Sequence, residues 1–134
     1  MVKEDVWKGN NEAALSKMSF DDFLKKVTSR ERRTLVRAVN NKNKKLKKLM
    51  ETAREVKKTN PDKMIRTHLR EAVIIPEWLG LNFGVYNGKE FKKVVITVKK
   101  VGKRLGDFSI TIGRVQHSGP GVGATRGSKF VPLK

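Results

Sequence analysis

Basic side chains at regular intervals are the residues of this sequence best suited to chemistry. If residues 65–70 form an extended strand, Arg66, His68 and Arg70 lie on one side of it. Guanidinium and imidazole groups arranged in this way offer hydrogen-bond donors to phosphate oxygens and to the edges of bases. The pattern therefore predicts a contact with nucleic acid, and an isolated histidine without a binding role is the alternative interpretation of His68.

A second basic group lies upstream and consists of four arginines, Arg30, Arg32, Arg33 and Arg37. A guanidinium binds a phosphate through two parallel hydrogen bonds, which an ammonium group cannot do. These arginines are therefore predicted to bind nucleic-acid phosphates, although Glu31 could instead pair with some of them. The lysine-rich residues 42–48 fit a phosphate-facing helix, a nuclear-import signal or an ordinary solvated helix face.

The glycine-rich residues 119–125 share a superficial likeness with loops that cradle phosphate. Their spacing matches neither the dinucleotide-binding fingerprint nor the P-loop, and no apolar helix follows them. The sequence therefore predicts no nucleotide cofactor. Glycines that let backbone amides come close to a polyphosphate are the better explanation of this segment.

Neither catalysis nor metal binding is predicted. The chain has no cysteine, which excludes disulfides, cysteine-ligated zinc and a thiol nucleophile. The two histidines, His68 and His117, lie in separate segments, and nothing supplies a base for Ser109 or Ser118. Because carboxylates are also scarce, we expect neither an enzyme nor a metalloprotein, and no cofactor.

Net charge is the strongest signal in the composition. The 134 residues include 31 Lys and Arg against 13 Asp and Glu, a formal net charge of +18. Such a surplus attracts polyanions, and nucleic acid is the favoured partner because neutralised phosphates release counterions. An anionic membrane surface is the alternative, but such binding usually needs a helix with Lys and Arg on one face and large apolar residues on the other. No segment approaches the ~18 continuous apolar residues of a membrane span, so no span is predicted. The first residues also lack the pattern of a signal peptide, so we expect a cytosolic or nuclear protein.

Three helices are predicted in the first half of the chain. Ser19 and Asp22 have the spacing of a capping box, and residues 20–27 then place apolar residues on one helical face. Thr28 and Glu31 repeat that spacing and predict a second helix through about residue 39. A third helix is predicted for residues 44–57, because their apolar residues fall on one stripe of a helix. This helix ends before Asn60-Pro61, because the residue before a proline is disfavoured in helical conformation.

Strands are predicted in the second half. Residues 81–86 alternate in polarity, Asn87-Gly88 follows as a hairpin signal, and residues 94–98 form the returning strand. Residues 101–106 are predicted as a short helical turn and residues 108–112 as a third strand. The expected fold is α+β, with N-terminal helices, a small antiparallel three-stranded sheet, a short helix and an extended C-terminal tail. The tail has five glycines and few apolar residues, so we expect it to order against a partner.

Several motifs in order resemble the S-nineteen family of small ribosomal subunit proteins. These motifs are residues 65–70, 74–77, 84–89 and 102–111. The ending, residues 119–134, is similar to the archaeal and eukaryotic cytosolic branch of the family, because bacterial and organellar members lack it. The resemblance is looser over residues 19–58 and absent over residues 1–18.

The resemblance implies a structural, non-catalytic protein in the head of the small subunit. Its implied partners are the small-subunit ribosomal RNA, a neighbouring protein of the S-thirteen family, and tRNA, since the tail of this branch runs toward the decoding region. The implied location is the cytoplasm, with transit through the nucleolus in a eukaryote. Four regions are expected: an N-terminal extension (1–18), a basic helical region (19–62), an α+β RNA-binding core (63–112) and a Gly-rich basic tail (113–134).

The RNA-binding candidates combine the upstream arginines with positions carried over from the resemblance and the last lysine. They are Arg30, Arg32, Arg33, Arg37, Arg66, His68, Arg70, Lys89, Lys103, Arg104, Arg114, His117, Arg126, Lys129 and Lys134. Two other interpretations share the charge and the glycine-rich tail. One is a free-standing protein that packages nucleic acid or acts as an RNA chaperone, and the other is a membrane-surface binder.

Overall fold

The computed structural model describes residues 5–113, which form helices followed by a small sheet. The predicted contacts of the tail, including those of Arg114, His117, Arg126, Lys129 and Lys134, lie outside these residues. The helices are α1 (Glu12–Ser16), α2 (Phe20–Lys26), α3 (Ser29–Val39) and α4 (Lys44–Thr59), and the strands are β1 (Ile65–Thr67), β2 (Asn82–Tyr86) and β3 (Phe91–Val95). Three 3-10 helices, Pro76–Trp78, Val98–Lys100 and Leu105–Phe108, lie in the connections. The α+β fold class is confirmed.

Each of the three predicted helices is present, and the predicted start of α2 is confirmed. The hydroxyl of Ser19 accepts a hydrogen bond from the Asp22 amide at 3.2 Å and donates one to the Asp22 carboxylate at 2.8 Å. The pKa of Asp22 lies below its ordinary value because this hydroxyl and then Lys25 stabilise the ionised carboxylate. Thr28 is the N-cap of α3, but its side chain makes no capping bond.

The first ordered element starts earlier than predicted. Helix α1 precedes Ser19, and its Leu15 is fully buried. The ring centroid of Trp7 lies 5.4 Å from that of Phe23, so residues before α1 also contact the hydrophobic core. Gly102 permits this packing, because it has a positive φ of 77° and a Cβ there would lie 3.2 Å from the Trp7 ring.

The sheet is mixed, so the prediction of a wholly antiparallel sheet is wrong. The strand order is β1-β2-β3, with β1 parallel and β3 antiparallel to the central β2. The predicted strand at residues 108–112 is also wrong, because both edges of β2 are already occupied. Residues 105–108 form a 3-10 helix instead, and Ile110 and Ile112 beyond it are 67% and 81% exposed. Strand β3 begins at Phe91, three residues before the predicted start.

The predicted hairpin joins β2 and β3 through a four-residue loop. The side-chain oxygen of Asn87 accepts hydrogen bonds from the amides of Lys89 and Glu90, both at 2.9 Å. Gly88 has a φ of 102°, which a residue with a side chain rarely adopts. The loop places Lys89 at an exposed tip and sets Tyr86 opposite Phe91 in the register.

The helices and the sheet share one hydrophobic core. Its members include Phe23 of α2, Leu35 of α3, Leu46 of α4 and Phe83 of β2. The connection at residues 72–75 is fully buried and pairs with the backbone of residues 102–105 through three hydrogen bonds of 2.8–3.0 Å. This pairing holds the loop that carries the basic residues 103 and 104 against the core.

Candidate nucleic-acid interface

A cleft of about 450 Å³ lies between α3, the turn that follows it and the connections around residues 71 and 104. We call it the arginine cleft. Four of its lining residues are basic and one is acidic; the lining is Arg30, Thr34, Arg37, Lys42, Asn43, Glu71 and Arg104. The sequence candidates Arg30 and Arg37 of α3 therefore meet Arg104, which is distant in the chain, at one site.

Helix α3 and its C-terminal turn position the basic groups of the cleft. Arg30 and Arg37 are seven residues apart, about two turns, and therefore share one helix face. Thr34 lies between them; its hydroxyl donates to the Arg30 carbonyl at 3.1 Å, and Arg37 Nη2 lies 3.5 Å from that hydroxyl. Asn41 adopts a φ of 59°, and the amide of Lys42 then donates to the Arg37 carbonyl at 2.9 Å. This turn brings Lys42 back beside α3.

Glu31 pairs with Arg104 and not with the arginines that surround it in the sequence. Its carboxylate lies 3.5 Å from the guanidinium of Arg104, and the two side chains are only 15% and 19% exposed. This ion pair fixes the loop of Arg104 against α3. Within residues 5–113, the side chains of Arg30 and Lys42 make no hydrogen bond or ion pair. Because these two side chains have no partner within the described residues, their positive charges are available to bind phosphate oxygens at the cleft.

Two of the predicted RNA-binding arginines have their donors occupied by the protein's own backbone. Arg32 donates to the carbonyls of the C-terminal end of α2, at Leu24 (2.8 Å), Lys25 (3.2 Å) and Val27 (3.2 Å). These carbonyls have no partner within the helix, so Arg32 caps α2. It therefore differs from its neighbour Arg33, whose side chain makes no hydrogen bond or ion pair within residues 5–113, although both residues are exposed.

Arg70 acts in the same way at the end of the sheet. Its guanidinium donates to the carbonyls of Tyr86 at 2.6 Å, Gly106 at 3.1 Å and Ser109. The buried hydroxyl of Ser109 donates to the Val85 carbonyl at 3.1 Å. Arg70 therefore ties β2 to the chain that leaves the last 3-10 helix.

The second basic surface is the outer face of the sheet, which we call the sheet face. Arg66 pairs with Gly84 in the register, and Gly84 pairs with Lys93, so these residues form one row across the three strands. A Cβ at Gly84 would lie 3.2 Å from the Met64 sulfur and 3.4 Å from Arg66 Cγ. The missing side chain thus lets Arg66 lie flat across the sheet.

Aromatic rings continue the sheet face toward the hairpin. The ring centroids of His68 and Tyr86 are 4.6 Å apart, those of His68 and Phe91 are 5.2 Å apart, and those of Tyr86 and Phe91 are 5.1 Å apart. The guanidinium carbon of Arg66 lies 5.7 Å from the Phe91 centroid, within the range of a cation–π contact. Two residues predicted to bind RNA, Arg66 and His68, therefore lie on the sheet face, and the adjacent hairpin loop carries a third, Lys89.

Sequence reasoning missed Lys42 of the cleft and Lys93, Tyr86 and Phe91 of the sheet face. Lys42 belongs to the lysine-rich run, but its place in the cleft depends on the left-handed turn at Asn41. Tyr86 and Phe91 flank the hairpin signal, and extending the pairing outward from the turn would have placed them opposite each other. The exposed Lys103 lies beside Arg104 but does not line the cleft.

Two other kinds of function receive no support from residues 5–113. That part of the chain contains no group of three or more His, Asp or Glu side chains suited to holding a metal ion. None of its helices combines the length and the apolar character needed to cross a bilayer.

Comparison with known proteins agrees with the resemblance noted in the sequence. A family model described as Ribosomal protein S19 matches residues 24–117. Small ribosomal subunit protein uS19 of Methanococcus maripaludis strain S2 is 46% identical over 132 residues, covering 98% of this chain and 82% of the relative. The uS19 protein of Cenarchaeum symbiosum is 40% identical over 134 residues and 100% of both chains, and that of Halorubrum lacusprofundi is 40% identical over 132 residues, covering 98% of this chain and 92% of the relative. Because the family match spans most of the sequence and these relatives align over nearly all of it, the chain belongs to the ribosomal protein S19 family.

Proposed function

We propose that this chain is a structural constituent of the small ribosomal subunit that binds ribosomal RNA through the arginine cleft and the sheet face. Family membership makes it a ribosomal protein of the small subunit and not an enzyme. The main evidence for the binding site is the arginine cleft, because Arg30, Arg37 and Lys42 converge there from separate turns of the chain. Glu71 is the one acid that lines the cleft, so its cations remain in excess.

The mechanism is electrostatic positioning and recognition of RNA shape. The major groove of an RNA helix is too deep and narrow for side chains to read, so phosphates and 2′-hydroxyls receive most contacts. Arg30 and Arg37 can each hold a phosphate through two hydrogen bonds, and Lys42 adds a point charge beside them. Each phosphate that is neutralised releases counterions, which is the main source of affinity.

The remaining RNA-facing candidates extend this contact. Arg33, Lys89 and Lys103 are exposed and lie outside the core, where they can neutralise phosphates that approach the two surfaces. Arg66 and His68 belong to the sheet face, and Arg104 lines the cleft while it holds Glu31. The tail residues Arg114, His117, Arg126, Lys129 and Lys134 stay predictions from the sequence.

The proposal also places the protein within the subunit. We infer a position in the head, next to a protein of the S-thirteen family, with the tail directed toward the decoding region and tRNA. Residues 119–134 support this inference, because their sequence is similar to the ending of the archaeal and eukaryotic cytosolic branch. The ribosome is cytoplasmic, and a eukaryotic source would add transit through the nucleolus.

Sedimentation distinguishes this proposal from the second candidate, a free-standing protein that packages nucleic acid or acts as an RNA chaperone, which would share the same charge. The full chain should sediment with small subunits at about physiological ionic strength and leave them only at high salt. Arg37→Gln, at the cleft, should be released at lower salt than Lys58→Gln, an exposed control at the end of α4. The proposal fails if most of the wild-type chain sediments free of ribosomes at physiological salt.

A further inference from the structure

We propose that His68, Tyr86 and Phe91 form a stacking platform that receives one unpaired base of an RNA strand. The proposal rests on the RNA-binding function proposed above and adds a mode of contact that phosphate neutralisation does not include. The platform is the aromatic end of the sheet face. Arg66 borders it on one side, and the hairpin tip with Lys89 borders it on the other.

The position of these rings outside the hydrophobic core is the first observation in favour. The chain has two Trp, one Tyr and six Phe. Within residues 5–113, the other aromatic residues of these types belong to the core or pack against it, namely Trp7, Phe20, Phe23, Trp78, Phe83 and Phe108. Tyr86 and Phe91 do neither; both are half-buried, and they contact each other and the exposed His68. Aromatic surface that the core does not use is available to a ligand.

The chemistry around the rings indicates which ligand they suit. Arg66 lies over Phe91, Lys93 lies in the same row of the sheet, and Lys89 is exposed at the tip. Glu90 is the acid in the hairpin loop. An aromatic face bordered by cations attracts a group that has both a flat π surface and a negative charge, which describes a nucleotide.

The geometry favours an unpaired base over a base in a helix. In a duplex both faces of each base are covered by its neighbours, so a side chain gains stacking only from a base that is splayed out. The platform is also preorganised. The Tyr86 hydroxyl donates to the Gly88 carbonyl at 2.8 Å, and Asn87 fixes the loop between the two strands. Little side-chain freedom remains to be lost on binding.

A purely structural role has to be separated from stacking, because Tyr86 and Phe91 form a directly opposed cross-strand pair. The test compares two probes that carry the same phosphates: a short oligoadenylate and an abasic strand of equal length. Wild-type full chain should bind the oligoadenylate at least about fivefold more tightly than the abasic strand. Phe91→Leu should reduce that preference to below about twofold, while Lys89→Gln weakens both probes equally.

Proton NMR gives a second measurement. If the rings had only a structural role, the His68 signals would respond to the two probes alike. The chain has only two histidines, so the His68→Gln variant assigns the His68 ring signals. Oligoadenylate should move those signals by ring current, and the abasic strand should not. If Phe91→Leu does not fold, the affinity comparison is made with His68→Gln, whose side chain is exposed at the end of β1.

Equal binding of the two probes by the wild-type chain, or His68 signals that respond to both probes alike, would overturn the platform. That result would leave the proposed ribosomal function intact, because the latter is judged by sedimentation of the wild-type chain with small subunits. Conversely, loss of sedimentation with a retained preference for oligoadenylate would reject the ribosomal function and keep the stacking site.

Discussion

Arg70 offers the sharpest test of whether a basic residue serves the fold or the RNA. Its three acceptors, the carbonyls of Tyr86, Gly106 and Ser109, belong to the end of β2 and to the chain around the last 3-10 helix, so one guanidinium joins these two segments. Arg70→Met keeps an unbranched apolar stem but removes the guanidinium and with it all of these donors. We therefore expect this substitution to destabilise the protein strongly.

The size of the loss follows from the three contacts. A hydrogen bond from a charged donor contributes about 1.5–3 kcal/mol to the free energy of unfolding. The three bonds share one guanidinium, and water can reach a half-buried site, so their contributions do not add in full. We expect a loss of about 3 kcal/mol, which is a substantial part of the ~5–15 kcal/mol that stabilises a domain. For a folded unit of this size, the melting temperature should fall by about 10 °C or more.

Arg66→Met is the matched control, because Arg66 lies nearby but is exposed and contacts Phe91 only by a cation–π interaction. Loss of this cation–π contact should lower the free energy of unfolding by about 0.5–1 kcal/mol. Thermal melts followed by circular dichroism give the two stabilities, and binding of small-subunit RNA at several salt concentrations gives the phosphate contacts. Arg66→Met should lower the slope of log affinity against log salt by about 0.7–0.9, while folded Arg70→Met should leave it unchanged. The assignment of Arg70 to the fold is wrong if the two variants melt alike or if Arg70→Met reduces the slope.

Three further predictions concern local structure. Ser19→Ala should lower the free energy of unfolding by about 1 kcal/mol in denaturant titrations, whereas Thr28→Ala should cost less because that side chain makes no capping bond; equal losses would contradict the capping argument. Gly102→Ala should destabilise more than Gly80→Ala, since both have positive φ but only the first Cβ would meet an indole ring at 3.2 Å; the same melts decide the order. Removing residues 119–134 should change the melting temperature by no more than a few degrees, because that sequence has few apolar residues, and a drop of many degrees would refute the expectation.

Local signals in the sequence predicted the elements whose structure depends on neighbouring residues. Ser19 and Asp22 form the cap that their spacing indicated, and Asn87-Gly88 forms a hairpin loop. The pairing of β1 with β2 could not be predicted in this way, because it joins residues about eighteen positions apart through a crossover. The predicted strand at residues 108–112 is wrong for a related reason: alternation shows that a segment can form a strand, but not whether a sheet edge is free to receive it.

The candidate site shows the same division between local and non-local information. Arg32 and Arg33 are adjacent and identical in type, and nothing in the sequence distinguishes them. The structure directs Arg32 to three carbonyls at the C-terminal end of α2, whereas the Arg33 side chain makes no hydrogen bond or ion pair within residues 5–113. Arg70 was grouped with Arg66 by the alternation of a strand, but β1 ends at Thr67, so the alternation does not extend to it. Residue type predicted the chemistry, and only the fold determines which donors remain for RNA.

The few acidic residues of this strongly cationic chain form ion pairs that hold distant segments together. Three of the four ion pairs within residues 5–113 join distant parts of the chain: Asp5 with Lys99 at 2.7 Å, Glu31 with Arg104 at 3.5 Å and Glu77 with Arg54 at 2.8 Å. The first and the last of these pairs are exposed and contribute about 0–1 kcal/mol each, so burial of the shared core has to supply most of the stability. The pairs instead fix the N-terminal segment, the loop of the cleft and α4 in place. The +18 surplus of the whole sequence has no acids left to pair with it, so RNA phosphates are the groups that can neutralise it.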